Sequence, residues 1–147
     1  VTRTDRDSSG MVQRVGRKFV GPMEDKRIRL CTDIRPGVRL QGDPQLMEKV
    51  FTNVIGNAVA YSPPGAVITV TQTEGLFSVE NSGIHIAEED LARIFTPFYR
   101  VDKSRSRNSG GSGLGLYITK TILDHHGIRC AMSNTETGVL FTAFLQE

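Results

Sequence analysis

The chain has 147 residues, 38% of them hydrophobic and 23% charged, and a formal charge of +2 from 18 Lys and Arg against 16 Asp and Glu. Those figures suit one soluble globular domain, exclude a wholly disordered chain, and give no overall field that would demand a polyanionic partner such as nucleic acid. No apolar run approaches the roughly 18 residues that cross a bilayer, and Cys31 and Cys130 belong to no metal-ligand or disulfide pattern, so both are expected as reduced thiols.

The opening at Val1, inside a charged stretch and without an initiator Met, suggests a fragment of a larger protein. Residues 1–10 are polar, with Asp5, Asp7, Ser8, Ser9 and Gly10 close together, and read as a linker that leads into a domain over 11–147. Met11, Val12, Val15 and Phe19 recur at helical spacing before Gly21 and Pro22 interrupt. Ile28, Leu30, Thr32 and Ile34 alternate, Pro36 and Gly37 turn the chain, and Val38 to Leu40 follow, a pattern that predicts a hairpin. Asp43 as cap and Pro44 at the first helical position open a helix with Leu46, Met47, Val50, Phe51, Val54, Ile55 and Ala58 inward, stopping near Ser62 before two prolines.

Val67 to Thr73 and Leu76 to Glu80 predict an antiparallel pair joined by Glu74 and Gly75. A Gly-containing turn over Asn81 to Ile86 and a short helix over Glu88 to Phe95 lead to a long basic Gly/Ser-rich connection, Thr96 to Ser112, of the kind that is functional or mobile. Gly113 to His126 reads as a helix stopped by Gly127, and Ile128 to Asn134 and Val139 to Leu145 as a final strand pair. The layout is α/β: a two-layer sandwich in which about three helices cover one face of a mixed, largely antiparallel sheet.

Three features carry chemistry. Gly110-Gly111-Ser112-Gly113-Leu114-Gly115 lies where a loop becomes a helix, so backbone amides and the helix dipole there favour negative charge. It lacks the Lys-Ser/Thr pair of a Walker loop and follows no strand, as a dinucleotide fingerprint would require. Asn53 and Asn57 stand four apart on one helix, so their amides share a face and can serve a phosphate-bound Mg²⁺, although a solvated face has the same spacing. Asn81-Ser82-Gly83 directly follows a strand, either as a ligand-facing turn or as a plain one.

In order, Asn53-x-x-x-Asn57-Ala58-x-x-Tyr61-Ser62, Asn81-x-Gly83, Phe95-x-x-Phe98-Tyr99-Arg100 and Gly110-Gly111-x-Gly113-Leu114-Gly115-Leu116 resemble the N, G1, F and G2 boxes of histidine kinases. The resemblance runs from about Met11 to Leu145 and implies the ATP-binding fold shared with gyrase, Hsp90 and MutL, with a mobile lid. The runs after Asn81 and from Phe98 to Arg105 look like the vancomycin-resistance sensor branch.

The resemblance implies that Asn57 holds Mg²⁺, Asn53 orients the transferring group, Tyr61 and Asn81 face the adenine, and Gly83 shapes that turn. It also implies that Gly111, Gly113, Leu114 and Gly115 cradle the phosphates of ATP and that Arg100 reaches the γ-phosphate. Lys103, Arg105 and Arg107 lie on the implied lid and read either as phosphate contacts or as part of a solvated loop touching a helical phosphoacceptor domain. Phe95 and Phe98 read as lid anchors, Phe95 equally as core.

The implied activity is ATP:protein-histidine phosphotransfer to a separate dimerisation domain, and onward to a response regulator. This would occur in the cytoplasmic part of a membrane-anchored bacterial sensor, dimeric as a whole and monomeric in this piece. No phosphoacceptor motif occurs here, and His125 and His126 read as structural, in the last turn of a helix. A plain ATPase with Glu48 as general base and a degenerate nucleotide-binding module remain alternatives. Three departures from the family pattern bear on them: Asn81 where a carboxylate is usual, Ala60 where a Lys is frequent, and Leu140 in place of a late Thr.

Overall fold

The computed structural model describes residues 4–99 and 115–145. Its centre is a five-stranded sheet ordered β2-β4-β5-β7-β6, made of β2 (Arg29–Ile34), β4 (Val67–Thr73), β5 (Leu76–Ser82), β6 (Arg129–Asn134) and β7 (Gly138–Phe144). β2 runs parallel to β4, and the remaining pairings are antiparallel, so the sheet is mixed as expected. α1 (Ser8–Arg17), α3 (Pro44–Tyr61) and α5 (Gly115–His125) cover one face, joined by the short α2 (Val20–Asp25) and α4 (Glu88–Leu91).

Period-two burial explains how the layers meet. In β4, Ile68, Val70 and Gln72 point inward, and in β7 Val139, Phe141 and Ala143 do so, against Val50, Phe51, Val54 and Ile55 of α3 and Leu123 of α5. Phe51 and Phe77 meet at a centroid separation of 4.8 Å, which ties α3 to the middle of the sheet. Cys31 and Cys130 are free thiols on the two edge strands, and burial pushes the Cys130 thiol up from its ordinary value.

Several expectations are corrected. The hairpin over 28–40 does not form: β2 pairs with β4, while β3 (Arg39–Gly42) pairs antiparallel with β1 (Thr4–Asp7) in a separate two-stranded sheet. The cause is capture of the turn by the start of α1. Ser8 N donates to Val38 O at 2.9 Å, Ser9 Oγ donates to Arg35 O at 2.6 Å, and Val38 N donates to Ser9 Oγ at 3.1 Å. Residues 4–10, expected as a linker, are therefore β1 and the first turn of α1, with Asp7 as its cap and both serines buried. α4 is also shorter than the expected 88–95 helix: no side chain caps it and none of its residues is buried.

Gly21 and Pro22, expected to interrupt the first helix, instead lie in the first turn of α2, where a proline's missing N–H has no helical partner to lose; the other boundaries follow the sequence closely. Asp43 caps α3 by accepting from Gln45 N and Leu46 N, and Gly127, at φ 69, stops α5. His126 is structural, as expected. Its Nδ1 faces Ile122 O, which can only accept, so Nε2 takes the proton of the Asp43 amide at 3.0 Å and ties the end of α5 to the start of α3. Among the described residues no helix is long and apolar enough to cross a membrane.

Candidate functional site

A cavity of about 340 Å³ opens between α3, the start of α5 and the loop after β5, within the size range of small-ligand sites. Five of the sequence-derived residues line it together: Asn53, Asn57, Tyr61, Asn81 and Gly115. Asn53 Nδ2 donates to Gly115 O at 3.4 Å, which joins the asparagine face of α3 to the glycine-rich helix start 62 positions later. Thr119, fully buried, donates to the same carbonyl at 2.8 Å and fixes it in place.

The cap geometry sets where α3 presents its amides. Asp43 holds its first turn, and Lys26 its last, donating to Val59 O, Ala60 O and Ser62 O at 2.9, 2.8 and 3.1 Å. Three bonds match the three donors of an ammonium, and a cation there also opposes the negative end of the helix dipole. Lys26 is a positioning residue that no motif revealed. It brackets the backbone of Tyr61 from a different helix end.

The other wall was largely invisible in the sequence. Ile84, Ile86, Ile94 and Tyr99 line it from the segment after β5, which has no recognisable period, together with Met132 of β6 and Val139 of β7. Asn134 holds the loop by accepting from Ile86 N at 2.9 Å and donating to Ile86 O at 2.7 Å, while His85 Nε2 donates to Thr135 O at 2.9 Å. Tyr99 hydroxyl donates to Asp90, and that bond raises the phenol above its ordinary value. A polar residue chosen for its bond to a backbone loop leaves no spacing signal.

Gly83 does not line the cavity but makes the turn out of β5. Its φ of 88 suits glycine, and an added Cβ would stand 2.7 Å from Pro63 Cγ. Val139, not Leu140, lies opposite Asn81 in the ladder and faces the cavity, because alternate residues of β7 point to opposite sides. Gly138 lets the strands approach: a Cβ there would meet Asn81 O at 2.0 Å.

Glu48 is placed elsewhere. It is absent from the cavity lining, and its carboxylate lies 2.9 Å from Arg14 and 3.7 Å from Lys18, with the Arg14 hydrogen bond holding its pKa below the ordinary carboxylate value. A carboxylate so paired is a weaker base, and the structure does not bring it to the site. Arg100, Lys103, Arg105, Arg107, Gly111, Gly113 and Leu114 lie outside the described residues. Phe95 is half-buried against the core, while Phe98 is 68% exposed. Among the described residues no cluster of His, Cys, Asp or Glu could hold a metal.

Residues 42–147 match the family described as histidine kinase-, DNA gyrase B- and HSP90-like ATPase. Sensor protein VanSB of Enterococcus faecalis is 44% identical over 117 residues, 77% of this chain and 26% of that protein. Sensor-like histidine kinase SenX3 of Mycolicibacterium smegmatis is 37% identical over 129 residues, 84% of this chain and 34% of that protein. The chain thus spans about a quarter to a third of the length of these relatives. Among solved structures, the nucleotide-free catalytic domain of histidine kinase ThkA superposes with a TM-score of 0.85 at 26% identity, over 99% of this chain and 95% of that one. The complex of ThkA with response regulator TrrA contains the same fold, with a TM-score of 0.79 at 26% identity over 97% of this chain and 41% of that one.

Proposed function

The chain belongs to the histidine kinase-, DNA gyrase B- and HSP90-like ATPase family, and from that premise we propose that it is the catalytic part of a sensor histidine kinase, moving the γ-phosphoryl group of ATP to a histidine on a separate dimerisation domain. The observation that carries this reading is the Asn53 to Gly115 junction across a single cavity. It puts neutral amides on one side of the space and the start of α5 on the other.

In this reading the attacking histidine nitrogen forms a bond to the γ-phosphorus as the bond to the ADP oxygen breaks, and ADP leaves. The chain's contribution is positioning and electrostatics. Tyr61 and Asn81 hold the purine end, Asn53 orients the transferring group, and Gly111, Gly113, Leu114 and Gly115 supply backbone amides to the phosphates. Gly83 shapes the turn that follows Asn81. Arg100 follows the charge as it spreads over the phosphoryl oxygens, and Lys103 adds a second cation.

Mg²⁺ fits this donor set only as a companion of ATP. Asn57 offers a neutral hard oxygen, and with no acidic or His cluster among the described residues, phosphate oxygens and water would supply the rest of the shell. When bound, the ion neutralises charge on the phosphates. Hydrolysis with Glu48 as base draws no support from a carboxylate paired to Arg14.

The names of the relatives support the wider setting. VanSB is called a sensor protein, SenX3 a sensor-like histidine kinase, and ThkA is seen with a response regulator, so a response regulator is the proposed recipient of the phosphoryl group. The likeness to VanSB also supports the vancomycin-resistance sensor branch. The chain is proposed to work at the cytoplasmic face of a membrane-anchored, dimeric parent while being monomeric itself. Mixing it with a separately expressed phosphoacceptor domain and labelled ATP tests the proposal: label on the histidine supports it, phosphate release alone supports an ATPase, and neither points to a degenerate binding module.

A further inference from the structure

Asn81 is 8% exposed and lines the cavity, and among the described residues no hydrogen bond engages its side-chain amide. Its backbone is fixed: the residue pairs with Ile68 on one side and Val139 on the other, and Gly138 packs onto its carbonyl. The cavity walls beside it, Val79, Ile84, Val139 and Phe141, are apolar. The side-chain amide of a buried residue, with no partner among the described residues, has both its donor and its acceptor available to whatever occupies the cavity.

We propose that this amide lets the site accept 6-oxopurine nucleoside triphosphates as well as ATP. The proposal rests on the nucleotide-binding reading above and extends it to base selectivity. Adenine offers an amino donor at position 6 beside the N1 acceptor; hypoxanthine and guanine offer the reverse, an oxygen acceptor beside an N1 donor. An amide can match either edge, with oxygen and nitrogen exchanged by a half-turn about its terminal torsion. Among the described residues no side-chain hydrogen bond fixes that torsion. A carboxylate at the same place accepts only, so it would bind the 6-amino group strongly and repel a 6-oxo oxygen in an apolar wall where the repulsion is poorly screened.

The test uses diphosphates, so that no turnover intervenes: calorimetric titration of the chain with ADP and with IDP, both with Mg²⁺. The expected result is that the two dissociation constants lie within about tenfold of each other, since only neutral hydrogen bonds are exchanged. IDP weaker than ADP by more than about tenfold overturns the proposal while leaving the ATP-binding reading intact. If neither diphosphate binds, both readings fail. In the Asn81→Asp variant the ADP to IDP preference is expected to open by a further thirtyfold or about that. An unchanged preference in a folded Asn81→Asp chain would also count against the proposal, because it would show that the residue does not face the base edge.

Discussion

The helix wall of the cavity and the loop wall opposite are held by different forces. α3 is 18 residues long, capped by Asp43 at one end and Lys26 at the other, and seven of its side chains are buried in the core. The loop wall runs from Ile84 through a four-residue helix with no buried side chain and no side-chain cap, tethered by Asn134, His85 and the Tyr99 to Asp90 bond. In the proposed function Asn53 and Asn57, on the first wall, serve the phosphate end of ATP, while Asn81, at the start of the other wall, serves the purine. A rigid element holds catalytic geometry better than a loop, and segments with little buried apolar surface open at lower free-energy cost.

Substitutions that weaken one wall at a time test this division. Phe77→Ala removes the ring on which Phe51 of α3 rests, in a fully buried site, and is expected to cost about 3–5 kcal/mol in denaturant unfolding. A cost below about 1 kcal/mol would mean that α3 is not anchored there. Lys26→Met leaves three carbonyls at the end of α3 without their donor and is expected to cost about 2 kcal/mol and to weaken ADP binding, although Lys26 does not line the cavity. Partial rescue by Lys26→Arg would separate the loss of cap bonds from a packing effect.

On the other wall, Asn134→Ala should cost about 1 kcal/mol in stability and raise amide exchange locally at Ile86, leaving exchange in α3 unchanged. The smallest effect is expected from Glu48→Gln, below about 0.5 kcal/mol at neutral pH, because the Arg14 pair is partly solvated. The carboxyl pKa is depressed in the fold, so its contribution is present above the unfolded-state value and is lost as the pH falls through the folded one. The difference between Glu48→Gln and the unchanged chain should therefore shrink on acidification, as followed by thermal unfolding from pH 7 downward.

The helix wall was more legible in the sequence than the loop wall. Asp43, Pro44 and the spacing of Val50, Phe51, Val54 and Ile55 declare a helix by local rules, and the asparagines four apart share a face by its geometry. The Lys26 cap has no sequence signature because it is supplied from a distant segment. The expected hairpin failed for a related reason: Pro36 and Gly37 do turn the chain, but what pairs after a turn is decided by distant groups, here Ser8 and Ser9. Polar residues 4–7 carry no alternation, so β1 could be recognised only through its partner β3. A one-residue shift in β7 moves a side chain to the other face, and it is Val139, the neighbour of Leu140, that faces the site.

The account stands or falls on whether the asparagine face of α3 meets the metal-bound phosphates. Calorimetric titration with a non-hydrolysable ATP analogue, with and without Mg²⁺, on the unchanged chain and on Asn57→Ala, addresses this directly. Mg²⁺ is expected to tighten binding to the unchanged chain by about tenfold or more, and Asn57→Ala is expected to lose most of that gain while keeping its metal-free affinity. Equal tightening by Mg²⁺ in both chains would contradict the claim.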